Sequence, residues 1–417
     1  MNENRIYLCL AHMSEAGMEM KYIQEAFETN WVVPLGPNVN AFEEALEDFV
    51  SQKADHAETA LKRVAALSSG TAAIHLALIA CGVKQEDEVM VQSFTFGASA
   101  NPVTYLGATP VFVDSEPDTW NMDPELLARG IRERMEKTGR RPKAIIPVHL
   151  YGMPAKMDDI MAVARQYEIP VIEDAAEAFG STYHGRKCGT LGDYGILSFN
   201  GNKMITTSGG GALICPSAEA RERIVKYATQ ARETFPYYQH EEIGYNYRMS
   251  NICAGIGRGQ MTVAAAHIAH HRHVHQLYEQ LFADVAGITV HSQPDGIVES
   301  KGSVERIYDS NYWLSTILLD EQLKVRGEKK AYDRMRHTDC EPNSPVEALR
   351  LALDEAGIES RPLWKPMHRQ PVYRNAPVFV NGVSEGLFMR GLCLPSGPYV
   401  TDDDVERIVN TIKKQLL

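Results

Sequence analysis

The chain has 417 residues, 44 % hydrophobic, 8 % aromatic and 23 % charged, a balance typical of soluble globular proteins and long enough for more than one domain. Forty-two Lys and Arg against 54 Asp and Glu leave a formal charge of −12 with no basic stripe, which argues against a nucleic-acid partner. No run approaches the ~18 apolar residues that a membrane span needs, and Met1–Arg5 leads into no secretory h-region, so a cytoplasmic protein is expected.

Residues 14–30 carry Met18, Ile23 and Phe27 at helical spacing and run into a turn-rich segment, 31–37. A second helix over about 39–50 places Phe42, Leu46 and Phe49 on one face. From Val64 the pattern alternates. Strands are expected at 64–68, 88–92, 110–113, 144–148, 170–173, 195–199 and 212–215, and helices at 72–81, 102–106, 124–137, 157–167 and 217–231. Strands separated by helices of this length predict an α/β fold, a mostly parallel central sheet with helices on both faces. Its ligand is expected beyond the carboxyl ends of the strands. Residues 252–285 read as one long connecting helix. A strand at 312–319 and helices at 345–356 and 402–415 then suggest a smaller C-terminal α+β domain, with loops at 292–309 and 320–343. The expected division is 1–251 and 252–417.

Four stretches carry polar groups where such a sheet would hold a ligand. Leu67-Ser68-Ser69-Gly70-Thr71 ends a strand and opens a helix, so free backbone N–H groups and the Ser69 and Thr71 hydroxyls suit a phosphate; an ordinary helix cap is the alternative. Phe96, just past a strand, is placed to stack on a planar ring or to join the core. Asp174 and Glu177 follow the apolar strand end Val171-Ile172-Glu173, where a carboxylate can stabilise a cationic ring nitrogen or simply favour a helix dipole. Ser198-Phe199-Asn200-Gly201-Asn202-Lys203 ends a buried strand in a turn and a single lysine, followed by Gly209-Gly210-Gly211. Such a lysine is either exposed or held for Schiff-base chemistry. Asn246-Tyr247-Arg248-Met249 is a fifth polar and aromatic segment, either a recognition loop or a structural turn. His267, His271 and His275 share a helical face at i, i+4, i+8. With no carboxylate or cysteine to complete a ligand set, that face reads as solvent-exposed, and no metal site is expected. The seven cysteines lie far apart with no Cys-x-x-Cys pair and are expected to be reduced structural thiols.

The order of these stretches resembles fold-type I pyridoxal 5′-phosphate enzymes. Ser69-Gly70-Thr71, Glu173-Asp174-Ala175-Ala176, Ser198-Phe199…Lys203 with its glycine triplet, and Asn246-Tyr247-Arg248-Met249 resemble the DegT–StrS sugar aminotransferases over nearly the whole chain. Phe199-Asn200-Gly201-Asn202-Lys203 and Trp364-Lys365-Pro366-Met367-His368 are similar to the subgroup that aminates UDP-linked 4-keto-6-deoxy-N-acetylhexosamines, of the UDP-N-acetylbacillosamine type. The resemblance implies that Lys203 carries the cofactor as a Schiff base and then shuttles a proton, that Asp174 pairs with the pyridine nitrogen, and that Phe96 stacks on the ring. It implies that Ser69, Gly70, Thr71 and Ser198 bind the phosphate and that Asn246 reaches it from a second subunit of a homodimer with active sites at the interface. Glu177 would lie near the ring's phenolic oxygen, where many relatives carry Gln or His; a carboxylate there would be repelled unless protonated. Asn202, Arg248, Lys365 and His368 would contact the nucleotide sugar. L-Glutamate is the implied amino donor and a UDP-keto sugar the acceptor. A 3-keto or dTDP-linked sugar, or a non-catalytic cofactor-binding regulator, are the alternatives.

Overall fold

The computed structural model describes residues 5–51, 62–300 and 303–417, the side chains of 298–305 excepted. Its main sheet runs, in spatial order, Arg63–Leu67, Gly211–Cys215, Tyr194–Ser198 and Ile172–Asp174. It continues through the bridges Ile145–Val171 and Val148–Asp174 to Ala144–Ile146, Glu88–Gln92, Thr109–Val113 and Val378–Phe379. Gly211–Cys215 is antiparallel to both its neighbours; the other pairings are parallel.

Successive side chains of a strand point to opposite faces, and here both faces are covered. Val89 and Val91 pack with Ile74 and Leu78 of the helix Gly70–Ala80. Met90 packs from the opposite side with Leu127 and Ile131 of Pro124–Thr138 and Ile160 of Met157–Tyr167. The Val, Ala, Ile and Leu of the inner strands are therefore buried, as a sheet covered on both sides requires. Helix ends are set locally: Asp123 accepts from the N–H groups of Glu125 and Leu126 with Pro124 at the first helical position, and Gly139 closes that helix at φ 67°.

The C-terminal half forms a second, antiparallel sheet, Ile288–Val290, Ser315–Leu319, Gly391–Leu394 and Arg361–Pro362. Val274, Tyr278 and Phe282 of Ala264–Phe282, with Leu349 and Leu353 of Ser344–Glu355 and Ile408 and Ile412 of Asp402–Lys413, share its core. Two pieces of this half return to the first: Val378–Phe379 extends the main sheet, and Tyr308–Asp309 pairs with Thr182–Tyr183. None of the helices described is long and apolar enough to cross a membrane.

Several local expectations are corrected. The single helix expected over 252–285 is two, Asn251–Met261 and Ala264–Phe282. The first presents Gly255, Gly257 and Gly259 to the N-terminal helices Met18–Glu28 and Pro37–Val50. A Cβ at Gly257 would meet the Phe42 ring at 2.7 Å, and one at Gly259 would meet the Glu19 backbone at 2.5 Å. That close seat and the course of the second helix into the other core cannot both be served by one straight axis. The segment 292–309 contains the hairpin Ile297–Ser300 and Ser303–Arg306, and 320–343 contains the short helix Glu328–Tyr332. The strand expected at 312–319 starts only at Ser315, because Tyr312 turns the chain at φ 49°.

The face bearing His267, His271 and His275 is buried rather than exposed. The three rings lie where Ala264–Phe282 meets the rest of the molecule, and aromatic rings fill such a seam despite their polar nitrogens. Burial pushes the His271 imidazole down to about 3, and that of His291 likewise to about 3. Both folded values lie below the ordinary value of about 6.5. Their contribution to stability is therefore present above pH ~6.5 and is lost as pH falls from there towards about 3. At pH 5 each group is expected to cost on the order of 2 kcal/mol. Melting temperature should fall between pH 7 and pH 5, and His271→Gln should flatten that fall. An unchanged slope in the variant would show that His271 is not its source.

Candidate active site

The strand Arg63–Leu67 ends opposite Gly211, and so does Ser198 on the other side of the same strand. This register brings the Ser69–Gly70 turn and Ser198 together. Gly211 is what lets them approach, since a Cβ there would lie 2.3 Å from the Gly70 nitrogen; a Cβ on Gly70 would meet Ser198 Cβ at 3.3 Å. Ser69 caps the helix Gly70–Ala80 by accepting from the Ala72 N–H at 3.0 Å. The N–H groups of Gly70 and Thr71, in the first turn, have no helical carbonyl to bond and are available to an anion. Ser69 is thus a helix cap, one of the two alternatives read in the sequence, and it also lines a cavity of about 310 Å³ together with Gly70, Thr71 and Ser198.

Asp174 is the last residue of Ile172–Asp174 and is held from its neighbours: His149 N–H donates to its carbonyl at 3.1 Å and its own N–H donates to Pro147 O at 2.9 Å. Its side chain, 4 % exposed, accepts from Ser99 Oγ at 2.6 Å and from Ala176 N–H at 3.2 Å; Ser99 Oγ in turn bonds Thr95 Oγ1. The adjacent Glu173, for which the sequence offered no role, points away into the protein. Its carboxylate accepts from Gly189 N–H and His149 Nε2, and from the N–H groups of Leu191 and Gly192. His149 Nδ1 accepts from Ala155 N–H at 3.0 Å, so the proton sits on Nε2. Glu173 ties the strand that ends in Asp174 to the loop feeding the strand that ends in Ser198.

Lys203 and Glu177 face the same cavity. Lys203 Nζ lies 3.5 Å from Glu177 Oε1, and Glu177 Oε2 accepts from Tyr151 N–H at 2.8 Å. Burial pushes the Glu177 carboxyl up, opposed by the Lys203 charge and the Tyr151 hydrogen bond. Trp313, absent from the sequence reading, lies with its ring centre 4.1 Å from Lys203 Nζ. Trp364 also lines the cavity, and its ring centre is 5.4 Å from that of Phe96, which is 57 % exposed at the rim. Neither tryptophan had a local signal: Trp313 precedes an unremarkable apolar strand, and Trp364 lies inside a motif whose charged members drew attention instead.

An anion-accepting helix N-terminus, a buried carboxylate and an amine thus share one cavity whose glycines leave the cradle open, a donor set that fits a phosphorylated pyridine aldehyde. The sequence profile of the DegT/DnrJ/EryC1/StrS aminotransferase family matches residues 14–337 and 328–413. The chain belongs to this family. It is 44 % identical over 412 residues to EpsN of Bacillus subtilis (strain 168), provisionally assigned as a pyridoxal phosphate-dependent aminotransferase, covering 98 % of this chain and 95 % of that one. It is 35 % identical over 401 residues to a GDP-perosamine synthase of Caulobacter vibrioides, covering 96 % of each. Among solved structures, a DegT DnrJ EryC1 StrS aminotransferase from Brucella abortus superposes with a TM-score of 0.81 at 27 % identity, over 96 % of this chain and 95 % of that one. The protein is accordingly a fold-type I sugar aminotransferase that uses pyridoxal 5′-phosphate.

In this aminotransferase, three residues expected at the nucleotide sugar have other partners and do not line the cavity. Arg248 pairs with Glu43 and donates to Ala66 O at 2.9 Å, fastening the Asn246–Met249 segment beside the strand Arg63–Leu67. Lys365 donates to Cys340 O at 2.8 Å. His368 lies between Ser93 Oγ at 2.6 Å and Glu385 Oε1 at 3.0 Å. In this chain these bonds pin the segments that carry the three residues, and the Lys365 and His368 contacts hold the loop that delivers Trp364. Asn202 does line the cavity. Asn246 is exposed and lies outside it. Glu177 is beside the lysine amine, a neighbour the sequence reading did not foresee.

Proposed function

We propose that this enzyme transfers the amino group of L-glutamate to the C4 keto group of a UDP-linked 4-keto-6-deoxy-N-acetylhexosamine. The convergence of Lys203, Asp174 and the Ser69–Thr71 turn on one cavity is the observation that carries amino transfer. Bound there, the cofactor supplies an electron sink for the carbon whose proton is moved. The Gly70 and Thr71 N–H groups with the Thr71 and Ser198 hydroxyls would hold its phosphate, with Ser69 orienting that turn. Asp174 would pair with the ring nitrogen, Phe96 would cover a ring face, and Lys203 Nζ would hold the cofactor's aldehyde carbon and move the proton. Burial pushes the Glu177 carboxyl up, against the Lys203 charge and the Tyr151 N–H.

The sugar is supported by Trp364 at the rim of the cavity, an aromatic face of the kind a hexose packs against, and by the motifs Asn200-Gly201-Asn202 and Trp364–His368. Asn246, exposed on a segment fastened beside the Ser69 turn, supports a homodimer in which it reaches the cavity of a second copy. A second reading, a GDP-linked sugar, is favoured by the 35 % identity to a GDP-perosamine synthase.

A panel of UDP-, dTDP- and GDP-linked 4-keto and 3-keto sugars with glutamate decides between them. The UDP-4-keto-N-acetyl sugar is expected to be aminated fastest. Preference for a GDP-linked acceptor would replace the UDP assignment. Conversion of the cofactor by glutamate alone, followed spectrally, distinguishes an enzyme from a cofactor-binding regulator.

A further inference from the structure

We propose that Trp313, contributed by the C-terminal half of the chain, is a positioning residue that holds the Lys203 amine at the reacting centre when it is not bonded to the cofactor. The inference rests on the assignment of Lys203 above. Two contacts meet in this one side chain. Its indole face lies 4.1 Å from Lys203 Nζ, and its Nε1–H donates to Asn202 O at 2.7 Å, the carbonyl immediately before the lysine. The ring is 2 % exposed, so the contact with the amine is largely desolvated.

The turn carrying Trp313 is itself latched to the residues after Asp174. Asn311 Nδ2 donates to Glu177 O and to Phe179 O, each at 3.0 Å, while Asn311 Oδ1 accepts from Trp313 N–H at 2.9 Å. Gly152 leaves room for this amide, since a Cβ there would lie 1.9 Å from Asn311 Oδ1. Between them Tyr312 adopts φ 49°, a left-handed conformation that a bulky residue takes only when its surroundings demand it. The lysine loop, the Glu177 segment and the Asn311–Trp313 turn are therefore one hydrogen-bonded unit joining both halves of the chain at the amine.

The physical need is plain. A lysine released from the cofactor has four rotatable bonds to swing through, and proton transfer requires it within reach of the reacting carbon. An aromatic face on a desolvated ammonium favours the held position by roughly three- to thirtyfold. The indole N–H fixes where the loop, and hence the stem of the side chain, begins.

Trp313→Phe keeps a ring face and loses the donor; Trp313→Leu loses both. The full-length protein is loaded with pyridoxamine 5′-phosphate, so that Lys203 is free, and amide hydrogen exchange over residues 200–204 is measured. Exchange is expected to quicken on the order of tenfold in both variants. In turnover, kcat should fall more in the leucine than in the phenylalanine variant, with KM within about twofold of wild type. Unchanged exchange in both variants, or equal kcat in the two, overturns the proposal. If the leucine variant does not fold, exchange in the phenylalanine variant decides alone, faster supporting and unchanged overturning. Exchange needs no sugar, so a wrong acceptor assignment leaves this result readable.

Discussion

Lys203→Ala is expected to abolish amino transfer and to remove the visible absorbance of the lysine-bound cofactor. The amine is the only nucleophile among the described cavity residues that can bond a carbonyl and then carry a proton, so both roles disappear together. Positioned acid–base catalysis and covalent catalysis each contribute orders of magnitude, and the expected loss in kcat is about a thousandfold or more. The fold should survive. Removing a partly buried cation takes away its contacts with the Trp313 ring and, at 3.5 Å, with Glu177, a carboxyl whose burial already favours its neutral form. The decisive measurements are the absorbance spectrum and single-turnover transfer from glutamate. Transfer retained at even a tenth of the wild-type rate would sink the assignment of Lys203.

Asp174→Asn is expected to be the second most damaging change. The carboxylate is buried and aimed by Ser99, whose hydroxyl is oriented by Thr95. An amide has nearly the same shape and can keep a hydrogen bond to Ser99, so the folded state should be little disturbed. The negative charge is lost, and with it the electrostatic partner of a cationic ring nitrogen. Removing one preorganised group of this kind costs roughly a hundred- to a thousandfold in kcat. Cofactor dissociation should quicken in the same variant, and the melting temperature without cofactor should be unchanged. A variant within twofold of wild type in kcat would mean that Asp174 does not touch the ring. Equal losses in kcat and in cofactor-free stability would mean that its role is to hold the strand end.

The central sheet was legible because its strands are short, apolar and separated by helices with clear stops. Ser69, Asp174 and Ser198 were found for the same reason: each ends a recognisable strand, and strand ends converge where ligands bind in such a sheet. The helix 252–285 and the exposed histidine face were misread for a common cause. Gly255, Gly257 and Gly259 look like weak helix formers locally, whereas their function is to let Phe42 and Glu19 approach. Likewise, a histidine at helical spacing reads as polar until a partner surface, here including the Tyr312 carbonyl 3.3 Å from His271 Nδ1, is known to lie against it.

Local order along the chain therefore determined the fold class and the strand ends that bring the Ser69–Thr71 turn, Asp174 and Lys203 to one cavity, because each depends on a periodicity or a strand terminus that neighbouring residues define. Tertiary structure alone decided which charged groups are free. Arg248, Lys365 and His368 resemble ligand-binding residues in sequence, and in the structure each is bonded to a partner elsewhere in the chain, at Glu43, Cys340 and Glu385. It also decided what surrounds the amine. Glu177 meets Lys203 across neighbouring strands of the main sheet, 26 residues apart, and Trp313 reaches Asn202 from 111 residues away, a contact that depends on how the C-terminal half docks, which no local pattern encodes.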